Sequence, residues 1–148
     1  MKIGGQILGQ PGRGEAREDL AHQQGAGRAG IGGIGVREVL ADVAVDLVCD
    51  DFFKWQPPKP PALIYERAFL CALPRKLWED WSHRVAELLP TGGLLAGFFF
   101  ICDQAKGPPF GILPEQLEAL LAPHFECIED KAVADSIPVF AGRERWQI

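Results

Sequence analysis

The chain contains the segment Ala62-Leu-Ile-Tyr-Glu-Arg-Ala-Phe-Leu-Cys-Ala-Leu73, an apolar run interrupted by one charged pair. The pattern predicts a short buried strand over Leu63–Tyr65 and a helix that begins at Arg67. Such a strand delivers Glu66 and Arg67 to the carboxyl edge of a sheet, which is where open α/β sheets bind ligands. Taken alone, the pair is more often a surface ion pair at the end of a strand.

Two other stretches are expected at the same edge. Upstream lies Asp46-Leu-Val-Cys-Asp-Asp-Phe-Phe53, an apolar strand that ends in acids and aromatic residues. Downstream lies Gly107-Pro-Pro-Phe110, a stiff turn that follows a third apolar strand. These stretches predict that three strand ends converge on one crevice, so Glu66 and Arg67 are candidates for a binding site as well as for an ion pair.

The composition predicts one globular domain over residues 1–148. The chain has 148 residues, of which 47% are hydrophobic, and this is enough to bury a sizeable core. The formal net charge of −5 argues against a nucleic-acid partner, because proteins that bind the phosphate backbone carry a basic face.

The chain shows no targeting or metal-binding signal. Its first residues lack the apolar core of a signal peptide and no segment has the length of a membrane span, so we expect a cytoplasmic protein without a membrane partner. The cysteines are far apart, with no Cys-x-x-Cys pair and no histidine at ligand spacing, so we predict neither a metal site nor a disulfide framework. We expect them reduced and mostly in the core: Cys49, Cys71, Cys102 and Cys127.

Strands and helices alternate from residue 45 onward. Val45–Cys49 is predicted to be a strand, and the proline-rich segment Trp55–Pro61 is predicted to be extended. Pro74 fits the first turn of a longer helix that ends near Leu89. Apolar residues recur along that helix at three- and four-residue steps and predict one buried face: Leu77, Trp78, Trp81, Val85, Leu88 and Leu89.

The C-terminal half continues the alternation. Leu94–Ile101 is nearly all apolar and predicts a strand in the centre of a sheet that is covered on both sides. Pro114–Leu121 is predicted to be a helix. The last two strands are predicted over Phe125–Glu129 and Pro138–Gln147, with the loop Ala134–Ile137 between them, and we expect them to pair antiparallel at one edge.

The element order predicts an α/β fold with a doubly wound, Rossmann-like sheet, mostly parallel and with an antiparallel C-terminal edge pair. Residues 1–44 are glycine-rich and give only weak predictions. Residues 45–148 carry the clear pattern.

Several separate motifs occur in an order that resembles the thiopurine S-methyltransferase family, in particular its bacterial members. They are Asp51-Phe52-Phe53, Ile64-Tyr65-Glu66-Arg67-Ala68, Leu88-Leu89-Pro90-Thr91-Gly92-Gly93, Gly107-Pro108-Pro109-Phe110 and Gly142-Arg143-Glu144-Arg145-Trp146. The resemblance runs from about Val45 to the C-terminus. It implies a methyltransferase sheet that binds S-adenosylmethionine at its carboxyl edge and transfers the methyl group to a small-molecule acceptor, a thiol or a thiopurine-like sulfur.

The resemblance also implies roles for individual residues. Arg67 takes the place of the family arginine in the cofactor and substrate pocket and is the candidate catalytic residue. Asp51 and Phe52 fall where the family frames the adenine, although Asp51 is equally suited to cap the following loop. By the same resemblance, the candidate substrate-binding residues are the loop residues Pro108, Pro109 and Phe110.

The chemistry of methyl transfer agrees with these roles. Displacement at a sulfonium methyl group is in-line, so a site mainly needs alignment and exclusion of water. A cation such as Arg67 favours the anionic form of a thiol or thione acceptor.

The N-terminal third departs from the family pattern. Pro11-Gly12-Arg13-Gly14-Glu15 matches the glycine-rich cofactor turn only in part, and Gly12 and Gly14 are its candidate cofactor-binding residues. Gly32 stands where the family has a ribose-binding acid. These departures suggest a degenerate or truncated third, or a reading frame that is not the native one. A non-catalytic remnant with an impaired cofactor site is therefore the alternative function.

We also expect Arg143, Glu144, Arg145 and Trp146 to alternate on an edge strand as a solvated ladder rather than a site.

Overall fold

A computed structural model of the chain describes residues 45–148. The predictions for Gly12, Gly14 and Gly32, and all others for residues 1–44, lie outside the described residues.

The described residues form an α/β unit around a four-stranded mixed sheet. The order of strands in the sheet is β1-β2-β4-β3; β1 and β2 pair in parallel, and β4 pairs antiparallel with both β2 and β3. The predicted antiparallel pair at the C-terminal edge is therefore confirmed. The described part of the sheet is not mostly parallel as predicted, because one of its three strand pairs is parallel and two are antiparallel. The elements are β1 Leu63–Arg67, α1 Trp78–Leu88, β2 Leu94–Phe100, α2 Pro114–Leu121, β3 Asp130–Ala132 and β4 Glu144–Gln147.

Strand β2 lies in the interior of the sheet, as its apolar sequence predicts. Neighbouring strands flank β2 on both sides, and Leu95, Ala96, Phe99 and Phe100 are buried. Leu95 and Phe99 pack in the main core with α1, whereas Phe100 on the opposite face packs with Phe140. Gly97 pairs with Glu66 of β1, and a Cβ at this position would meet the Glu66 carbonyl oxygen at 2.9 Å. The missing side chain therefore lets the two strands approach beside the Glu66 carboxyl group.

Helix α1 provides the core on one face of the sheet. Trp81, Val85 and Leu88 are buried against it, and the helix ends before the turn at Pro90–Gly93. The predicted helix start at Pro74 is confirmed in position, although the first turn, Arg75–Leu77, is a 3-10 helix.

Helix α2 packs against α1 and contributes to the same core. Its first residue is Pro114, whose fixed φ suits the first turn of a helix. Leu117 is buried in the main core, and Ser82 of α1 donates its hydroxyl hydrogen to the Leu120 carbonyl at 2.7 Å. These contacts tie the two helices together.

The predicted strand at Val45–Cys49 is wrong. These residues form no strand, and Leu47 and Val48 are exposed. An apolar run becomes a strand only when a neighbouring backbone supplies its hydrogen bonds, and no described strand pairs with this run.

The helix predicted to begin at Arg67 is also wrong in kind. Ala68 has φ of 60°, which lies in the left-handed region and interrupts the chain before any helix can start. A short 3-10 helix follows over Leu70–Ala72. The segment Phe69–Ala72, called the β1 turn below, thus reverses the chain in place of a full helical turn.

The last two strands are shorter than the apolar pattern predicts. Residues 125–129 lie outside the ladder, and the amide hydrogens of Ile128 and Glu129 both point to the Ile148 carbonyl, so regular pairing starts only at Asp130. Over residues 138–143 the chain forms successive turns instead of a strand. Phe140 in these turns is buried against Phe100 at 5.1 Å between ring centroids, which favours the turns over an exposed strand.

Replacing Leu117 by Ala should lower the free energy of unfolding by about 2–5 kcal/mol, because the lost side chain leaves a cavity between α2 and the core. Leu117 is only 1% exposed. Urea denaturation followed by tryptophan fluorescence measures the change. The adjacent, exposed Glu118→Ala is the matched control, and its effect should stay within about 0.5 kcal/mol. Equal losses for the two variants would show that α2 does not pack as described.

Candidate functional site

The carboxyl end of β1 is organised by the buried carboxyl group of Glu66. Its Oε1 accepts the amide hydrogens of Phe69 at 2.7 Å and Leu70 at 2.9 Å, which caps the β1 turn. The ion pair between Glu66 and Arg67 that the sequence suggested does not form. Successive residues of a strand point to opposite faces, so the two side chains lie on different sides of the sheet.

Burial raises the pKa of Glu66 to about 7, and the negative charge of Glu144 adds to this effect, while the Leu70 and Phe69 amides oppose it. Glu66 is 4% exposed, and its Oε2 atom has no hydrogen-bond partner. The side chain borders a cavity of about 10 Å³. This volume is about that of one water-sized sphere.

The Cys71 thiol is buried in the β1 turn beside the same cavity. Burial raises the pKa of Cys71 to about 12, and the charges of Glu66 and Glu144 contribute further. The buried thiol is therefore favoured in its protonated, unreactive form, which agrees with the predicted core role.

Arg67 lies on the opposite face of the sheet from Glu66. Its guanidinium carbon lies 4.5 Å from the centre of the Phe98 ring, and its Nε is 3.8 Å from Oε1 of Glu144. The Arg67 side chain is 41% exposed, whereas that of Glu144 is 2% exposed. A buried acid and an aromatic ring thus lie against the base of the guanidinium, and the side chain remains partly exposed at the carboxyl end of β1.

Sequence reasoning missed Glu144. The prediction of a solvated ladder on an edge strand is wrong at this position, because β4 lies between β2 and β3 and Glu144 is buried where it pairs with Phe100. The useful signal was its spacing: Glu144 is two residues from the aromatic Trp146 and shares its face of the strand. Trp146 contacts the Phe98 ring at 4.9 Å between centroids.

Asp51 caps a turn, which is the alternative the sequence left open. Its Oδ1 accepts the Phe53 amide hydrogen at 3.1 Å, and its Oδ2 lies 3.3 Å from the Lys54 ammonium. The adjacent Phe52 ring lies 5.0 Å from the Phe69 ring. The turn therefore places an aromatic surface beside the β1 turn.

The loop of the Gly-Pro-Pro-Phe motif reaches the β1 turn from another side. The Phe110 amide donates to the Cys71 carbonyl at 2.7 Å, and the Phe110 ring packs against the core. Both peptide bonds that precede Pro108 and Pro109 are cis. The Phe52 ring thus lies beside Phe69 at the start of the β1 turn, and the Phe110 amide is bound at Cys71 near its end.

Cysteines and potential metal ligands give no further site among the described residues. All four cysteines are free; Cys71 is buried and Cys102 half-buried, whereas Cys49 and Cys127 are exposed, so the core prediction is wrong for these two. Within residues 45–148, no cluster of three or more potential metal ligands occurs. In the same part of the chain, no helix has the length and apolar character needed to cross a membrane.

Comparison with known proteins assigns the chain to a family. The family model described as thiopurine S-methyltransferase (TPMT) matches residues 28–147. The chain belongs to the thiopurine S-methyltransferase family. The match begins before residue 45 and so extends further toward the N-terminus than the motifs do.

Individual family members resemble parts of the chain. A thiopurine S-methyltransferase of Vibrio campbellii (strain ATCC BAA-1116) is 35% identical over 88 residues, 58% of this chain and 40% of the relative. A probable thiol methyltransferase 2 of Arabidopsis thaliana is 35% identical over 81 residues, 53% of this chain and 36% of the relative. The matched part thus spans less than half the length of these relatives.

Among solved structures, human N-acetylserotonin methyltransferase in complex with SAM superposes with a TM-score of 0.45 at 14% identity, covering 66% of this chain and 31% of that one.

The raised pKa of Glu66 predicts a pH-dependent stability. The folded protein holds this proton to about pH 7, whereas the unfolded chain releases it near pH 4.5. The contribution of Glu66 to the free energy of unfolding is therefore fully present below the pKa of the unfolded chain. It falls by about 1.4 kcal/mol per pH unit as the pH rises toward the pKa of the folded protein. Glu66→Gln keeps the acceptor for the two amides and should remove this decline.

Urea denaturation between about pH 5 and about pH 8 tests the prediction. The exposed Glu118→Gln is the control and should retain the slope of the unmodified chain. Identical slopes for Glu66→Gln and the unmodified chain would show that Glu66 is not the group responsible.

Proposed function

We propose that the protein is an S-adenosylmethionine-dependent methyltransferase that transfers the methyl group to the sulfur of a small thiol or thiopurine-like acceptor. The observation that carries the proposal is the accessible Arg67 guanidinium at the carboxyl end of β1, held by Glu144 and Phe98 in a chain of the thiopurine S-methyltransferase family. Two relatives are named a thiopurine and a probable thiol methyltransferase, which supports a sulfur acceptor.

The proposal includes the architecture of the sheet. Strand β1, helix α1 and strand β2 form a parallel strand–helix–strand unit, which is the repeating element of doubly wound sheets. We propose that this unit is part of a doubly wound, Rossmann-like methyltransferase sheet.

The described residues fit part of the cofactor. Phe52 and Phe69 offer adjacent flat apolar surfaces of the kind that an adenine ring requires, and Phe52 is among the predicted adenine-framing residues. Asp51 is the other predicted adenine-framing residue. Its Oδ2 is available to a ligand, because among the described residues it contacts only the exposed Lys54, which a ligand can displace. The cofactor would supply an electrophilic methyl group on a sulfonium. The proposed contribution of Gly12 and Gly14 lies outside the described residues.

In this proposal Arg67 acts on the acceptor through its charge, and the loop residues act through their shape. The positive charge of Arg67 lowers the free energy of an anionic sulfur, so an acceptor of low pKa needs no strong general base. Pro108, Pro109 and Phe110 form a stiff apolar surface that suits a flat ring and keeps water away from the reacting sulfur. Arg67 thus aligns and activates the acceptor, and the loop walls confine it.

A thermal-shift titration of the full chain with S-adenosylmethionine and S-adenosylhomocysteine tests the cofactor site. Saturable binding to the folded state should raise the melting temperature, with about 2.7 kcal/mol of stabilisation when the ligand is at 100 times its Kd. A flat response from the folded chain would contradict the proposal and favour the alternative of a non-catalytic remnant.

Arg67→Met should lower kcat/KM for 6-mercaptopurine by about 100-fold, because it removes the charge that stabilises the anionic sulfur. Initial rates of methyl transfer from labelled cofactor measure the loss. Arg143→Met is the matched control, since Arg143 also lies over an aromatic ring, with its guanidinium 4.9 Å from Phe100. Equal activity of the two variants would exclude Arg67 from the reaction.

A further inference from the structure

Arg75 closes both ends of the loop that carries the Pro-Pro-Phe motif. One guanidinium nitrogen, Nη2, donates to the Gln104 carbonyl at 3.2 Å and to the Gly111 carbonyl at 2.7 Å. These carbonyls belong to the first and last residues of the segment 104–111, called the acceptor loop below. One charged donor therefore joins the two ends of the loop, and hydrogen bonds from charged donors are the stronger kind.

Gln104 fills the same loop from inside. Its side-chain amide donates to the Lys106 carbonyl at 3.0 Å and to the Pro109 carbonyl at 2.8 Å. Pro108 and Pro109 have no amide hydrogen, so the tip of the loop cannot form its own ladder of backbone hydrogen bonds. The side chain of Gln104 replaces those bonds and fixes the tip relative to the base.

Backbone hydrogen bonds attach the loop to the site on two sides. The Gly111 amide donates to the Gln104 carbonyl at 2.9 Å and closes the loop, while the Phe110 amide donates to the Cys71 carbonyl of the β1 turn at 2.7 Å. Gly111 lies so close to the Cys102 backbone that a Cβ would clash there. Any shift of the loop base would therefore also move the Phe110 ring.

Arg75 is itself held in place by the start of α1. Its guanidinium carbon lies 5.2 Å from the Trp78 ring, and Trp78 is buried and donates from Nε1 to the Leu70 and Leu73 carbonyls, both at 3.1 Å. The donor that closes the acceptor loop thus lies over a buried ring at the start of α1, and this ring is itself hydrogen-bonded.

We propose that Arg75 and Gln104 are positioning residues that set the acceptor loop for ring-shaped acceptors. They touch neither reacting group; they act by holding Pro109 and Phe110 where these residues form a wall for a flat heteroaromatic thiol. The inference rests on the proposed function. It assigns selectivity for a ring to the loop and activation of sulfur to Arg67, so the two effects are separable.

Two acceptors of different shape separate positioning from general damage. The full chain and the variants Arg75→Met and Gln104→Glu are assayed with 6-mercaptopurine and with hydrosulfide, an acceptor without a ring. We expect the KM for 6-mercaptopurine to rise about ten-fold, since small displacements of positioning groups cost this much or more, while the KM for hydrosulfide and for the cofactor stays unchanged. Arg75→Lys should restore part of the loss because it keeps a charged donor.

Arg143→Met is the matched control for these assays. Arg143 also donates from Nη2 to a backbone carbonyl, that of Val139 at 2.7 Å, but in a different loop. It should leave the KM for both acceptors unchanged. Equal losses for the two acceptors in Arg75→Met, or a loss in Arg143→Met of the same size, would overturn the positioning role.

Amide hydrogen exchange distinguishes failure of this inference from failure of the proposed function. Exchange at Phe110 and Gly111 should be faster in Arg75→Met than in the unmodified chain and in Arg143→Met. If the unmodified chain transfers no methyl group, the proposed function and the acceptor role both fall, whatever the exchange rates. If it is active and these two amides exchange at unchanged rates in Arg75→Met, the inference alone is overturned.

Discussion

The described structure depends on one carboxyl group that caps the β1 turn. Glu66 accepts two amide hydrogens and so stabilises a chain reversal that starts with Ala68 at a positive φ. Because the reversal is tight, the turn presents Phe69 to the Phe52 ring and the Cys71 carbonyl to the acceptor loop. A regular helix at this point would have used these backbone groups internally, and the two neighbouring segments would have lost their attachment.

Burial of the Glu66 carboxyl group disfavours its charged form, and the raised pKa reflects this free-energy cost. A carboxyl group that is 4% exposed is more favourable in its neutral form, and its second oxygen has no partner. Glu66 nevertheless occupies the position, since its two short hydrogen bonds satisfy amides that no backbone carbonyl reaches. The adjacent Arg67 illustrates the alternation of a strand: one residue of the pair stabilises the interior, and the next presents a charge to the outside of the same sheet edge.

Much of the fold could be predicted from local pattern, and the failures share a cause. Leu94–Ile101 could be predicted because it is a continuous apolar run that starts directly after Gly92-Gly93. Pro114–Leu121 could be predicted because Pro114 marks its start and Pro123 follows its end. Val45–Cys49 and the segment 138–143 could not be, because their apolar residues reflect burial in turns or exposure without a partner strand. For the site, Arg67 was predictable as a strand-end charge, whereas the burial of Glu144 depends on register across two strands, which a single sequence does not contain.

In the loops around the site, side chains donate hydrogen bonds to backbone carbonyls. The sequence has 12 prolines, each without an amide hydrogen, so several loop carbonyls need partners from side chains. Gln104 supplies two of these donors within its own loop, and others lie on α1 and on the 3-10 turn before it. Arg75 bonds the acceptor loop, Trp78 bonds the β1 turn, Ser82 bonds the end of α2, and Arg84 bonds the Phe52 and Trp55 carbonyls. Because a helix satisfies its own backbone, its side chains are free to serve the carbonyls of loops that cannot satisfy theirs. Side chains of α1, together with Arg75 directly before it, therefore hold the loops around the candidate site.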